Sequence, residues 1–251
     1  MKKSTICFLL VTMVSCITSY MLVDLNNSSS VFSDTQNNTS LESIYFNKWK
    51  GKSWITLGDS ITRANGYQDK FKNILGFSRI DNMGENGQTM VSQSENKSTY
   101  TLGKTIDYKV YDLATIFIGT NDFRYNKKLG KIKVSGSIRF DETTFTGSYQ
   151  LLIEKILSSN PSIDLVLITP PQRIRDGYDI DFTNEVGSKL IDYVNVIKSL
   201  GEMYSLPVLD LYSEGGISKK NISTFTRDGL HPNDVGYDRI SDKMYRFLLS
   251  I

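Results

Sequence analysis

The chain has 251 residues, 39% of them hydrophobic and 22% charged, a composition that suits one globular domain with a sizeable core. Its 29 Lys and Arg against 27 Asp and Glu leave a formal charge of +2, cancelled when Lys2 and Lys3 are set aside, so no global basic field points to DNA or RNA as a partner. Both cysteines, Cys7 and Cys16, fall in the first stretch and there is one histidine, which excludes a thiol nucleophile, an internal disulfide and a Cys- or His-built metal site from the rest of the chain.

Residues 1–24 open with Lys2-Lys3 and run through Ile6-Cys7-Phe8-Leu9-Leu10-Val11 to Met21-Leu22-Val23, the pattern of a secretory signal peptide or an N-terminal membrane anchor. The apolar run approaches the length of a short spanning helix and no small-x-small cleavage pattern follows it, which favours a retained anchor. Val14-Ser15-Cys16 fits a lipid-attachment signal only in part, because Met13 is a poor occupant of its aliphatic position. The folded part is therefore expected outside the cytoplasm, anchored to the membrane or secreted. Residues 25–50, rich in Asn and Ser, read as a solvated tether. Asn-x-Ser/Thr triplets, those at Asn96 and Asn221 included, arise by chance in such a composition and carry no assignment.

From residue 51 onward, short apolar runs rich in β-branched residues alternate with longer stretches of helical period. Strands are predicted over 54–57, 79–82, 114–118, 165–169 and 208–211. Helices are predicted over 68–75, 149–158, 185–204 and 234–249, with apolar positions three and four apart, as in Leu190, Tyr193, Val194 and Ile197. Alternation of this kind predicts an α/β domain over 51–251, a three-layer α/β/α sandwich around a central parallel five-stranded sheet. Ligands of such sheets bind beyond the carboxyl ends of the strands, so the residues just after each strand are the ones to weigh.

Four such segments carry chemistry. Gly58-Asp59-Ser60 puts a hydroxyl on a tight strand-to-helix turn, although Ser and Asp also fill ordinary helix caps. Asn82-Met83-Gly84-Glu85-Asn86-Gly87 offers glycine N–H groups to a developing oxyanion, or makes a plain turn. Gly119-Thr120-Asn121-Asp122 offers a side-chain amide for the same purpose, or an Asx turn. Asp228-Gly229-Leu230-His231 places an acid three residues before the only imidazole, where it can accept the Nδ1 proton and leave Nε2 free, or it is a solvated histidine beside a helix start.

Together and in this order, the four segments resemble the SGNH, or GDSL, hydrolase superfamily, over about 52–249. The resemblance implies a flavodoxin-like sandwich in which Ser60 is the nucleophile, His231 the base and Asp228 its orienting acid. Gly87 and Asn121 are implied as oxyanion donors beside the Ser60 backbone N–H. Gly87 is preferred to Gly84 by its five-residue offset from Asn82. The α/β-hydrolase alternative fails because Thr62 stands where Gly-x-Ser-x-Gly needs glycine, and because acid and base are only three apart.

The implied reaction is hydrolysis of carboxylic esters through an acyl-enzyme, with no cofactor. Short acyl esters of glycans, or lipid-like esters, are the expected substrates. Acyl transfer to a glycan hydroxyl uses the same intermediate, and a noncatalytic glycan-binding module is the rival of another class. The oligomeric state is open.

Three further features stand near these segments. Residues 123–145 carry Lys127, Lys128, Lys131, Lys133 and Arg139 and read as a basic hairpin turning at Ser135-Gly136, either a lid or a solvated edge. Asp176, Asp179 and Asp181 lack the spacing of a calcium loop and read as solvated. Arg173 and Arg175, after Pro170-Pro171, read either as bordering a substrate or as surface.

Overall fold

The computed structural model describes residues 47–92, 98–137 and 139–251. Five strands, β1 (Ser53–Gly58), β2 (Arg79–Gly84), β3 (Leu113–Phe117), β4 (Asp164–Ile168) and β5 (Val208–Leu209), form one all-parallel sheet in the order β2-β1-β3-β4-β5. In chain order the helices are α1 (Ser60–Arg63), α2 (Gln68–Ile74), α3 (Thr99–Gly103), α4 (Thr120–Arg124), α5 (Phe145–Ser159), α6 (Leu190–Tyr204), α7 (Leu211–Glu214), α8 (Ile222–Phe225) and α9 (Asp234–Ser250).

All five predicted strands are present, the inner ones because a parallel strand buried on both faces must be apolar nearly throughout; β5 stops at Leu209 rather than 211, since Asp210 caps α7. All five residues of β3 are buried, and the edge strand β2 is the more polar and more exposed one. Side chains of a strand point alternately to its two faces, which divides the core into two layers. Ile55, Leu57, Ala114, Ile116, Leu165 and Leu167 pack with Leu152 and Ile156 of α5 and Tyr193 and Ile197 of α6. On the other face Trp54, Leu113, Phe117, Val166 and Ile168 pack with Phe71 of α2 and Tyr237, Ile240 and Met244 of α9. The described residues from 47 to 251 thus form a three-layer α/β/α sandwich, as expected.

Two helix starts differ from expectation. Helix α5 begins at Phe145, four residues before the prediction, because Thr144 caps it through Gly147 N–H. Helix α6 begins at Leu190 rather than 185, since the preceding turn closes on itself. Asn184 N–H donates to Ser188 O at 2.9 Å and its side chain accepts from Ser188 N–H at 2.9 Å, while Gly187 takes φ +77.

The expected hairpin over 123–145 is not one. The turn at Ser135-Gly136 exists, but no strands flank it among the described residues. Helix α5 takes the backbone groups a second strand would have taken: Gln150 binds Lys133 N–H and Lys133 O at 3.0 and 2.8 Å, and Glu154 accepts from Gly136 N–H at 2.7 Å.

The folded unit extends back to Asn47. Trp49 is buried, and its Nε1 donates to Leu248 O at 2.8 Å. The signal or anchor at 1–24, the tether up to residue 46 and the triplet at Asn96 lie outside the described residues. Among the described residues no helix is long and apolar enough to cross a membrane.

Candidate active site

The strand order reverses between β1 and β3, and ligands of open parallel sheets bind at such a switch point. Ser60 follows β1 and Asn121 follows β3, so the two flank it. Gly58 is required at the end of β1: a Cβ there would stand 2.2 Å from Thr62 Oγ1 and 2.6 Å from Phe117 O. The Asp59 side chain caps α1 by accepting Ile61 N–H at 2.9 Å, and burial pushes this carboxyl up to about 7. Ser60 is then the first residue of α1, where its own N–H has no intrahelical acceptor.

His231 reaches Ser60 from the loop between α8 and α9. Its Nε2 lies 2.9 Å from Ser60 Oγ across a separation of 171 residues. Asp228 folds back as predicted: Oδ1 accepts Leu230 and His231 N–H at 3.1 and 2.8 Å, and Oδ2 stands 2.8 Å from His231 Nδ1. Gly229, at φ +79, makes this tight turn. With Nδ1–H donated to the carboxylate, Nε2 carries its lone pair toward the Ser60 hydroxyl. Burial pushes the Asp228 carboxyl up, but hydrogen bonds from the His231 ring and backbone, with the Arg175 charge beside them, outweigh it and hold the group below its ordinary value.

The second and third predicted segments are bolted together. Asn121 Nδ2 donates to Gln88 O at 3.0 Å, which leaves its other N–H for the pocket. Neighbouring Asp122 is buried and accepts Met90 and Val91 N–H at 2.9 to 3.2 Å; burial nevertheless pushes it up to about 7. Gly87, at φ +69, lines the pocket, and its N–H has no acceptor among the described residues. Gly84 does not line it: it packs against α1, where a Cβ would stand 2.3 Å from Arg63 N. Ser60, Gly87, Asn121 and His231 thus share one pocket of about 590 Å³, with Asp228 behind the histidine.

Three features that the sequence left open or read as solvated take definite places in the fold. Arg173, read as a substrate border or surface residue, is fully buried. Its Nη1 donates to Thr120 O and Oγ1 at 3.3 and 3.0 Å and its Nη2 to Arg175 O at 3.4 Å, so it joins the Asn121 segment to the Arg175 loop. Burial lowers this guanidinium to about 10. Arg175 lines the pocket, 2.7 Å from Asp228 Oδ2 and 2.9 Å from His231 Nδ1. Both nitrogens bear protons, so the carboxylate oxygen accepts from both. The acidic run is ion-paired rather than merely solvated: Asp179 and Asp181 close on Lys219 at 2.6 and 2.8 Å, and Asp176 meets Arg124 at 3.2 Å. Among the described residues no group of three His, Cys, Asp or Glu side chains is placed to hold a metal ion.

Residues 56–239 match the GDSL-like lipase/acylhydrolase family, well over half of the chain. The chain belongs to that family. This GDSL-like protein is accordingly a hydrolase of ester bonds, and its fold is that of the SGNH superfamily. Among solved structures it is similar to a protein from Lactobacillus plantarum, at 28% identity and TM-score 0.70, covering 80% of this chain and 98% of that one. It is also similar to an acetyl xylan esterase, at 26% identity and TM-score 0.55 over 77% of this chain and 98% of the other. A lipase/acylhydrolase from Enterococcus faecalis, at 23% identity and TM-score 0.54 over 79% and 96%, shares the fold. No curated protein matches the GDSL-like chain.

Proposed function

We propose that the protein is a serine esterase working through an acyl-enzyme on Ser60. The observation that carries this reading is the continuous relay from Asp228 Oδ2 through His231 to Ser60 Oγ, with contacts of 2.8 and 2.9 Å. His231 Nε2 takes the Ser60 proton as Oγ attacks the ester carbonyl, and the Asp228 carboxylate stabilises the imidazolium formed. The oxyanion is held by the Ser60 and Gly87 backbone N–H groups and the free N–H of Asn121. His231 returns the proton to the departing alcohol oxygen. It then draws a proton from a water whose oxygen attacks the acyl-enzyme carbonyl, and it gives that proton to Ser60 Oγ as the acyl–Oγ bond breaks and the acid leaves.

Short acyl esters of glycans outside the cytoplasm are the substrates we favour, with lipid-like esters next. The pocket's apolar side chains are few, Ala64, Leu230 and the Tyr125 ring among them, too little to sheath a long acyl chain. Similarity to an acetyl xylan esterase supports the acetyl group, and the basic-then-apolar start of the chain supports export.

Fluorophosphonate labelling of wild type beside Ser60→Ala, followed by p-nitrophenyl esters of increasing chain length, tests the reading. Labelling lost in Ser60→Ala and turnover greatest for acetyl or butyryl are expected. Absence of labelling in correctly folded wild type overturns the mechanism. Product partition with a glycan acceptor separates hydrolysis from acyl transfer.

A further inference from the structure

The esterase reading leaves the alcohol portion of the substrate unnamed, and the charges around Ser60 speak to it. Four arginines, Arg63, Arg124, Arg175 and Arg227, line the pocket, and no carboxylate does. Overall composition does not account for this, since the chain is nearly balanced at 29 basic against 27 acidic side chains. They also come from separate places: the end of α1, the end of α4, the loop after β4 and the loop before His231.

Three of the four are answered from outside the pocket, Arg63 by Glu85 at 3.2 Å, Arg124 by Asp176 at 3.2 Å and Arg175 by Asp228 at 2.7 Å. Arg227 meets no carboxylate among the described residues. Its Nε donates to Pro232 O at 3.3 Å, which fixes the guanidinium by its inner edge and leaves both terminal NH2 groups without a described acceptor. A guanidinium presented this way matches two oxygens of a carboxylate, sulfate or phosphate. A concave wall of one sign also concentrates ligands of the other. Beyond Tyr125 an adjoining recess of about 500 Å³ continues the pattern, with Lys104, Lys127 and Lys128 against the one carboxylate of Glu142.

Which part of the substrate meets Arg227 follows from the proton path. His231 hands its proton to the departing alcohol oxygen, so the alcohol portion lies on the His231 side of Ser60. Arg227 belongs to that same loop, its N–H donating to His231 O at 2.9 Å. Resting on the esterase reading above, we infer that the alcohol portion of the substrate carries an anionic group seated by Arg227, within the positive field of Arg63 and Arg124.

The test compares acetyl esters that share one acyl-enzyme and differ in the charge of the alcohol. They are 4-acetoxybenzoate, 4-acetoxybenzenesulfonate and 4-acetoxyphenyl phosphate, each set against neutral methyl 4-acetoxybenzoate. At low ionic strength kcat/KM is expected to favour at least one anionic ester over the neutral one by about tenfold or more, and the best of the three names the anion. In Arg227→Gln that ratio falls toward unity. Because the ratio is read within each protein, a general loss of activity or of folded fraction cancels.

Ser60-dependent cleavage of the neutral ester at least as fast as all three anions overturns the charge preference and leaves the esterase reading standing. A preference that survives unchanged in Arg227→Gln removes Arg227 from the inference. Failure to cleave any of the four esters, with no fluorophosphonate labelling of folded protein, overturns both readings together.

Discussion

Arg175 and His231 meet on one atom: Arg175 Nη1 and His231 Nδ1 lie 2.7 and 2.8 Å from Asp228 Oδ2, and 2.9 Å from each other. The acid that orients the histidine is therefore shared with a fixed cation. An imidazolium formed at His231 arises beside that cation, which opposes it.

Arg175→Gln removes the opposing charge and keeps a polar side chain. On a neutral acetyl ester at saturation, kcat is expected to rise by roughly threefold to tenfold, the scale of one screened charge at this distance. A fall in kcat would instead make Arg175 the residue that holds Asp228 in place.

Asn121→Ala deletes the amide that reaches the pocket and the bond to Gln88 O at 3.0 Å. Turnover is expected to drop on the order of a hundredfold with little change in KM, because in the proposed mechanism the lost hydrogen bond strengthens only as the oxyanion develops. Steady-state kinetics on p-nitrophenyl acetate decide it, and near-normal kcat removes Asn121 from the oxyanion site.

Asp59→Asn keeps the oxygen that accepts Ile61 N–H but cannot ionise. Burial raises this carboxyl from 3.8 to about 7, so between those values the folded state binds more protons than the unfolded one. Wild-type stability falls as pH rises through that window. The contribution is whole below the unfolded value and gone above the folded one. Thermal melts of both proteins should show Asp59→Asn gaining on wild type from pH 4 to pH 7, by on the order of a few kcal/mol, then running parallel. Asp122, raised in the same direction, is present in both and cancels.

Gly58→Ala places a methyl 2.2 Å from Thr62 Oγ1 and 2.6 Å from Phe117 O, the second a backbone atom of the adjacent strand. Overpacking of this kind costs about 1–3 kcal/mol, read as a melting temperature lower by roughly 2–10 °C for a domain of this size. The strain falls on the turn that presents Ser60, so activity per folded molecule should drop as well. Unchanged stability and activity would show that β1 and β3 can part at no cost.

The inner strands were legible because each is buried on both faces and must be apolar over a short run bounded by polar turns, whereas the edge strand β2 is more polar and more exposed. Ser60, Gly87 and Asn121 were legible as chemical types just after strands, and the Asp228–His231 turn, in a loop between two helices, is local enough for spacing alone to predict it. The hairpin over 123–145 misled because alternation of Ile132, Lys133 and Val134 looks like a strand whether or not a partner strand is present. Gln150 and Glu154 of α5, distant in sequence, took the backbone groups instead.

The order of elements, the two-sided burial of the sheet and the inventory of reactive groups are local properties, set by side-chain polarity and by turns of a few residues, and the sequence by itself determined them. Whether a charge is buried or wet, and which groups share one oxygen, depends on segments that meet only after folding. Arg173 and Arg175 stand two residues apart with the same chemistry. Tertiary packing buries the first against Thr120, 53 residues away, and sets the second on Asp228 beside His231, 56 residues away, since only the fold places an acceptor within reach of each.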